Sequence, residues 1–243
     1  QSRDWPVFCC VPGDLYSIEG RAWARVSSVH IADSTPVFRC GPAQELPLSD
    51  FDVVWMRKDP PFDMDYIFTT YLLEQAPKTT LVLNDPSGIR DSNEKMVALR
   101  WPELCPPTLV TREIQRAIDF AEAAEDRIVM KPWDGNGGRG VLVSRHGDPN
   151  LRSMLEILTE AESQHILVQH YIPEIVQGDK RIILIDGEPV GWMLRVPQPG
   201  DHRGNMHVGA KVAPCSLDSS DMEICRSIGP KLRELGLLFV GID

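Results

Sequence analysis

The sequence predicts an α/β domain built on a parallel sheet, followed by an α+β domain. Over residues 1–91, short apolar runs alternate with a segment of helical spacing, which is typical of a parallel sheet covered by helices. From residue 92 the pattern changes to hairpins mixed with amphipathic helices, which indicates a second domain over residues 92–243. A chain of 243 residues is long enough for two such domains, each with its own core.

The elements of the first domain are predicted from their apolar patterns. The runs "PVFCCV" and "FDVVWMRKD" indicate buried strands. "LYSIEGRAWARVSS" predicts a hairpin that turns at Glu19-Gly20, and "MDYIFTTYLLEQA" has the spacing of a helix.

The composition excludes several classes of protein. A net charge of -10 argues against a general binder of nucleic acid or of anionic membranes. No apolar run reaches the roughly 20 residues that a membrane-spanning helix requires. The six cysteines show neither a CxxC pair nor a zinc-type spacing with histidine, so we expect reduced thiols and a cytoplasmic protein.

Both ends of the chain look incomplete. The chain opens with "QSRDWPVFCC", which has neither an initiator methionine nor the pattern of a signal peptide. It ends on the apolar run "LLFVGID", with no turn or tail after it. We therefore expect an internal piece of a longer protein.

A loop with four glycines follows a lysine in "IVMKPWDGNGGRG" (residues 128–140). Gly135, Gly137 and Gly140 match G-x-G-x-x-G, but a short strand-like run follows where a dinucleotide fingerprint requires a helix. The chain also lacks the Gly-Lys-Ser/Thr of a Walker A loop and the H-R-D and D-F-G of a protein kinase. What remains is a strand–loop–strand flap with Lys131 on its first strand, where backbone N–H groups and a lysine charge meet phosphate oxygens. The alternative is an ordinary flexible hairpin loop.

Two further segments fit a nucleotide site, and each also has an ordinary structural interpretation. Lys95 in "NEKMVA" is either a second phosphate-binding lysine or a solvated helix residue. "VQHYIPE" either offers backbone groups to an adenine edge or forms a plain edge strand. On the first interpretation, His170 lies along the nucleotide-site strand and does not act as a base.

Three arginines and one carboxylate suggest a site for phosphate or carboxylate groups. Arg181 and Arg195 begin and end a predicted hairpin, "KRIILIDGEPVGWMLRV", on strands that we expect to pair. Arg203 falls in a polar, Gly/Pro-rich segment, residues 197–210, which we define as the candidate lid. Arginine is the preferred side chain for binding phosphate or carboxylate through two parallel hydrogen bonds. The alternative is that these are scattered surface arginines. Asp243 ends a predicted buried strand, where a carboxylate can hold Mg²⁺.

Six segments, taken in order, resemble the bacterial (prokaryotic-type) glutathione synthetases, which are ATP-grasp ligases. The segments are "MRKDPPFDMDYIFTTYLLE", "NDPSGIRDSNEKMVAL", "KPWDGNGGRGV", "QHYIPEIVQGDKRIILIDGEPV", "RVPQPGDHRGNMHVGA" and "IGPKLRELGLLFVGID". The resemblance covers nearly the whole chain. The "MRKDPPFD" and "GDKR…DGEPV" blocks are specific to the family, whereas the glycine flap alone is not.

The resemblance implies a fold and an activity. The fold is a pre-ATP-grasp α/β domain, followed by an ATP-grasp domain that closes two β-layers over ATP and two metal ions, Mg²⁺ or Mn²⁺. The activity is the joining of γ-glutamylcysteine to glycine through an acyl phosphate, with release of ADP and phosphate. We also expect small-molecule substrates, no nucleic-acid or membrane partner, and a homo-oligomer, either a dimer or a tetramer. The alternatives are another ATP-grasp carboxylate–amine ligase and a non-catalytic nucleotide-binding module.

The resemblance also assigns roles to individual residues. The nucleotide-binding group comprises Lys95 and Lys131 on the α- and β-phosphates, Gly135, Gly137 and Gly138 in the flap, Gln169, His170, Tyr171 and Ile172 beside the adenine, and Asp179 at the ribose. The group near the γ-phosphate and the substrates comprises Arg181, Arg195 and Arg203 as catalytic residues, and Arg195, Arg203, Gly204 and Asn205 as substrate-binding residues. Asp243 matches the first metal ligand.

The sequence departs from the family at both ends. The family begins with a strand–loop–helix that helps to bind the peptide substrate, whereas this sequence begins late in that helix. The family continues past the position of Asp243 with a glutamate and an asparagine that complete the metal site. We therefore expect residues 1–243 alone to be inactive.

The candidate lid is predicted to be mobile without ligand, because residues 197–210 contain three glycines and two prolines and lack apolar periodicity. Limited proteolysis of the free protein should therefore cut within this segment. A digest that cuts elsewhere and spares the segment would contradict the lid assignment.

Overall fold

The computed structural model describes residues 5–31, 37–58 and 61–243. The chain divides into two compact units, residues 1–91 and residues 92–243. Each unit has its own cluster of buried apolar side chains. No helix within the described ranges is long and apolar enough to cross a membrane.

The described residues of the first unit form six strands and two α-helices. In chain order these are β1 (Phe8–Cys9), β2 (Leu15–Ile18), β3 (Arg21–Ile31), β4 (Phe38–Pro47), β5 (Val53–Trp55), α1 (Met64–Leu73), β6 (Leu81–Leu83) and α2 (Pro86–Arg90).

Strand β3 is the centre of the first unit. Alternate residues along it, Ala22, Ala24 and Val26, are buried, as expected for a strand with one face on a core. Leu48 and Leu73 pack against the same face and complete the buried cluster. Strands β1, β2 and β4 each pair with β3 in the antiparallel sense.

The predicted turn at Glu19-Gly20 is confirmed. Ile18 pairs with Arg21, and both turn residues have positive φ, 50° and 75°, as a two-residue hairpin turn with the twist of its strands requires. The predicted parallel pairing is present between β5 and β6. The hairpin accounts for the antiparallel pairing of β2 with β3, whereas the further antiparallel pairing of β3 with β1 and β4 was not predicted.

Two strands of the first unit are less buried than predicted. The segments "PVFCCV" and "FDVVWMRKD" do form β1 and β5, but Cys9 is exposed and Val53 and Trp55 are about half exposed, at 50% and 49%. An uninterrupted apolar run favours a strand, but it does not require burial of both faces of that strand.

The second unit contains eight strands and three α-helices, all within the described residues. In chain order these are β7 (Thr108–Thr111), α3 (Ile114–Glu122), β8 (Ile128–Pro132), β9 (Leu142–Ser144), α4 (Leu151–Leu158), β10 (Ile166–His170), β11 (Asp179–Ile185), β12 (Glu188–Val196), β13 (Lys211–Ala213), α5 (Ser219–Glu234) and β14 (Phe239–Ile242). They form two four-stranded antiparallel sheets, in the orders β7-β10-β8-β9 and β13-β12-β11-β14.

The core of the second unit lies on one face of the first of these sheets. Ile128 and Met130 of β8 and Ile166 and Val168 of β10 have no exposed surface, and they pack with residues of α3 and α4. Side chains alternate between the faces of a strand, so the residues between these four face the other way. We define this opposite surface as the site face.

The second sheet is built on the hairpin of β11 and β12. Its predicted turn at Asp186-Gly187 is confirmed, with Ile185 paired to Glu188 and positive φ at both turn residues. The turn lies directly against helix α5. A β-carbon added at Gly229 of that helix would stand 2.7 Å from the carbonyl oxygen of Gly187. The helix and the turn therefore approach each other through backbone atoms.

This close approach predicts that Gly229→Ala destabilises the protein. Alanine is favoured over glycine within a helix by about 1 kcal/mol. Here the new methyl group would meet the backbone of Gly187, which can move only at a cost in free energy. We therefore expect the free energy of unfolding to fall by about 1–2 kcal/mol, measured by thermal or urea unfolding.

Gly191→Ala, on strand β12 of the hairpin that α5 contacts, is the control. Among the described residues, no atom beyond its chain neighbours lies within 4 Å of a β-carbon added there, so the stability of this variant should stay within about 0.5 kcal/mol of the parent. A Gly229→Ala protein that is as stable as the control would disprove the backbone contact.

Candidate active site

Lys131 projects from the site face of the first sheet. It occupies β8 between the core positions, pairs with Leu167 of β10, and donates a hydrogen bond of 2.7 Å from Nζ to Oε1 of Gln169. Burial lowers the pKa of Lys131, and the nearby positive charge of Lys95 lowers it further, whereas Asp243 and Cys105 act in the opposite direction. Two lysines and one carboxylate from distant parts of the sequence therefore face one region.

The glycine loop is a strand–loop–strand flap, because β8 and β9 pair in the antiparallel sense on either side of it. Gly137, Gly138 and Gly140 have positive φ values of 62°, 79° and 68°. Residues with a β-carbon rarely adopt this backbone. The glycines are therefore required by the path of the loop.

Lys95 lies against the base of the flap. Its Nζ donates to the backbone oxygen of Gly135, and at 2.9 Å to Glu94. Asn93 holds the lysine segment in place, since its Oδ1 accepts from the backbone N–H of Lys95 at 3.0 Å and its amide donates to the oxygen of Trp133 at 3.4 Å. The role of Asn93 was not predicted, because an asparagine before a lysine has no distinctive pattern.

The candidate lid contacts the flap. A ring nitrogen of His202 lies 3.3 Å from the backbone oxygen of Val141, and Nη1 of Arg203 lies 3.4 Å from that of Gly138. A β-carbon at Gly138 would stand 2.8 Å from Oδ1 of Asn205. Lid residues that the family resemblance assigned to the substrate therefore lie beside the loop that was assigned to the phosphates.

Asp201 holds the guanidinium of Arg203, a role that was not predicted. Nε and Nη2 of Arg203 donate to the two oxygens of Asp201 at 2.9 and 2.7 Å, and the backbone N–H of Arg203 adds a third bond. The Arg203 side chain holds the pKa of Asp201 well below its usual range. Arg203 is thus oriented before any ligand arrives.

A second set of charges lies on the hairpin of β11 and β12. Asp179 pairs with Arg195 in the strand register, and Nε and Nη2 of Arg195 donate to its two oxygens at 2.9 and 2.6 Å. Arg181 and Arg195 do not oppose each other, but their side chains meet at Asp243. Arg181 binds both oxygens of this carboxylate, and Nη2 of Arg195 lies 2.8 Å from one of them.

Arg195 is buried, with only 6% of its side chain exposed. Burial disfavours its charged form, but the hydrogen bonds and charges of Asp179 and Asp243 outweigh that effect and raise the pKa of Arg195. Gly204 of the candidate lid lies on Asp179, since a β-carbon there would stand 2.6 Å from its Oδ1. Both the flap and this ion pair therefore contact the lid.

The strand end at residues 169–172 is only partly available to a ligand. The N–H of His170 donates to Pro107 and the N–H of Tyr171 donates to Arg127. The rings of these two residues are covered by Phe120 and by the Arg127 guanidinium. Within the described ranges the N–H of Ile172 has no protein partner, and its side chain is 51% exposed.

The described residues do not form a complete metal site. Among the described residues no three His, Cys, Asp or Glu side chains converge on one point that could hold an ion. Asp243 faces the lysines, but its oxygens accept from two arginines. A single carboxylate does not satisfy the coordination of a divalent cation.

The fold of the chain is that of the ATP-grasp enzymes. It is similar to D-cycloserine synthetase DcsG, with a TM-score of 0.60 at 14% identity over 80% of this chain and 69% of that one. It is also similar to the ATP-grasp ligase PsnB, with a TM-score of 0.53 at 16% identity over 88% of this chain and 71% of that one. The predicted fold class, an α/β N-terminal domain followed by an ATP-grasp domain, is confirmed.

Within that class, the chain belongs to the prokaryotic glutathione synthetase family. The family's N-terminal domain profile matches residues 1–90, and its ATP-grasp domain profile matches residues 94–243. The chain is 46% identical over its whole length to glutathione synthetase of Pseudomonas putida and 44% identical to that of Escherichia coli K12. It spans 77% and 78% of those two relatives.

The buried ion pair predicts that Asp179→Asn is destabilising. The substitution keeps the shape of the side chain, but it replaces one of the two oxygens that accept from Arg195 with an amide group that donates. Removing one partner of a buried pair leaves a charge without full compensation, and since Asp243 remains we expect a loss of about 2–3 kcal/mol in a denaturant titration.

Glu234→Gln is the matched control for this measurement. Glu234 is 68% exposed and forms a surface pair with Lys231, so its loss should change stability by less than about 0.5 kcal/mol. Equal effects of the two substitutions would show that the Asp179 pair contributes no more than a surface pair.

Proposed function

We propose that the protein is an ATP-dependent ligase that joins γ-glutamylcysteine to glycine, releasing glutathione, ADP and phosphate. The observation that carries the proposal is identity of 44–46% to glutathione synthetases over the whole chain. The site geometry supports it, since a flap, two lysines and three arginines surround one region of an acidic protein.

The phosphates of ATP are placed against Lys95, Lys131 and the flap. Lys131 is the only one of these lysines on the site face of the sheet, and its partner Gln169 is neutral, so its positive charge is not cancelled. Backbone N–H groups beside Gly137 and Gly138 supply uncharged donors that a side chain would obstruct. These residues are the proposed α/β-phosphate site.

The adenine and ribose are placed at the end of β10 and at Asp179. Ile172 is the proposed backbone donor, because the N–H groups of His170 and Tyr171 already bind within the protein. The oxygens of Asp179 accept from Arg195, so a ribose hydroxyl would use one of the remaining lone pairs of the carboxylate.

The reaction begins when the carboxylate of γ-glutamylcysteine attacks the γ-phosphate, forming an acyl phosphate and ADP. The amine of glycine then displaces phosphate and forms the new amide bond. Arg181, Arg195 and Arg203 are the proposed groups that neutralise the phosphate and carboxylate charges during these steps. The lid, through Gly204 and Asn205, is proposed to hold the substrate and to exclude water from the acyl phosphate.

A divalent metal ion accompanies ATP in ATP-grasp enzymes, and we propose that the ion here is Mg²⁺ or Mn²⁺ with Asp243 as one ligand. The described residues do not supply the remaining ligands of such an ion. A cytoplasmic location and assembly into a dimer or a tetramer are part of the same proposal.

ADP release by the full-length protein tests the substrates. Release in the presence of ATP and Mg²⁺ should require both γ-glutamylcysteine and glycine, and glutathione should appear in equal amount. Release that instead follows a different acid and amine would overturn the proposed substrates while leaving the ligase class intact.

Lys131→Ala is the matched variant for the nucleotide site. Losing one charge-assisted phosphate contact should weaken ATP binding by about 1.5–3 kcal/mol in calorimetry, with the circular dichroism spectrum unchanged. An unchanged ATP affinity would reject the phosphate role of Lys131.

A further inference from the structure

Behind Lys131 stands a chain of three hydrogen bonds. The Thr108 hydroxyl donates to the backbone oxygen of Pro106 at 2.7 Å. Nε2 of Gln169 donates to Oγ1 of Thr108 at 2.8 Å, and Oε1 of Gln169 accepts from Nζ of Lys131 at 2.7 Å. The chain joins a loop carbonyl to the lysine through two uncharged side chains.

This series of hydrogen bonds has only one consistent arrangement of donors and acceptors. A hydroxyl has a single proton, and that of Thr108 is used on Pro106, so its oxygen can only accept from Gln169. An amide has a donor end and an acceptor end, so the oxygen of Gln169 must then point towards Lys131. Thr108 therefore determines which end of the Gln169 amide the lysine meets.

The strand registers place these residues beside one another. Thr108 is directly opposite Gln169 in the pairing of β7 with β10, and Lys131 is one diagonal step away, opposite Leu167. Leu167 lies on the same face and is only 2% exposed. The neighbouring apolar side chain limits the access of water, so a lost acceptor is not readily replaced.

We propose that Thr108 and Gln169 are positioning residues that hold the ammonium group of Lys131 towards the phosphates of ATP. This rests on the proposed function of Lys131. It also changes the role of Gln169, which then acts on the lysine and not on the adenine. Thr108 positions Lys131 through Gln169 and does not itself touch a ligand in this proposal.

The neutrality of Gln169 follows from the charges around the lysine. The titratable groups that face Lys131 are Lys95, Asp243 and Cys105, and burial together with Lys95 lowers the pKa of Lys131. An uncharged acceptor stabilises the ammonium form without cancelling the charge that phosphate requires. A glutamate at the same position would stabilise the ammonium form but cancel its charge.

Two substitutions at Gln169 distinguish these effects. Gln169→Leu removes the acceptor, so the pKa of Lys131 should fall, and ATP binding should weaken about tenfold, more at high pH than at low pH. Gln169→Glu should raise that pKa and still weaken ATP binding at every pH. The pKa of Lys131 is measured by NMR of the ligand-free protein, with Lys131→Arg to identify its resonance.

Thr108→Val is the sharper test, because Thr108 lies behind Gln169. The variant should lower the pKa of Lys131 and weaken the binding of ATP and of GTP by the same factor, about three- to tenfold. Thr108→Ser keeps the hydroxyl and should restore both values. If Gln169 instead contacted the nucleotide base, its variants would change the ratio of ATP to GTP affinity.

Thr111→Val on the same strand is the control for a merely structural effect. Its Oγ1 accepts from the backbone N–H of Glu113, outside the chain of bonds to Lys131, so only thermal stability should change. An unchanged Lys131 pKa in Thr108→Val and Gln169→Leu would overturn the positioning role. A shifted pKa with unchanged ATP affinity would support the positioning and reject the phosphate role of Lys131.

Discussion

The alternation of side chains along β8 and β10 is the constraint on which the rest of the candidate site depends. One face of these strands buries Ile128, Met130, Ile166 and Val168, each worth about 1.5–3 kcal/mol in removal from water. A slip of one residue would turn all of them to the other face, so the register is held by the core. Lys131 projects from the site face because its neighbours on the strand are held in the core.

Local patterns predicted the parts of the fold that depend on adjacent residues. The turns at Glu19-Gly20 and Asp186-Gly187 were predicted because two residues with positive φ require that chemistry wherever they occur. The flap was predicted because Lys131 precedes the glycines and a strand follows them. Each of these features is determined within about ten residues of sequence.

The remaining features join residues that are far apart in sequence, so a local sequence pattern does not predict them. The first N–H of α3, at Ile114, donates at 2.7 Å to Glu162, which lies beyond the next helix. Thr111 is much closer in sequence, but its hydroxyl accepts from the N–H of Glu113, one residue earlier. The hydrogen bond from Gln169 to Thr108 joins residues that are even further apart in sequence, and it forms only when β7 and β10 pair.

The contact between lid and flap has a consequence for how the sequence can vary. In the described part of the chain, the hydrogen bonds from His202 and Arg203 to the flap end on the backbone oxygens of Val141 and Gly138 and not on flap side chains. The contact leaves little room for a side chain at Gly138, because a β-carbon there would stand 2.8 Å from Oδ1 of Asn205. A methyl group at Gly138 would therefore require the side chains of Asn205 and Arg203 to move, and the positive φ of 79° at this position would add backbone strain. The absence of a side chain at Gly138 is therefore part of what allows the lid to approach the flap.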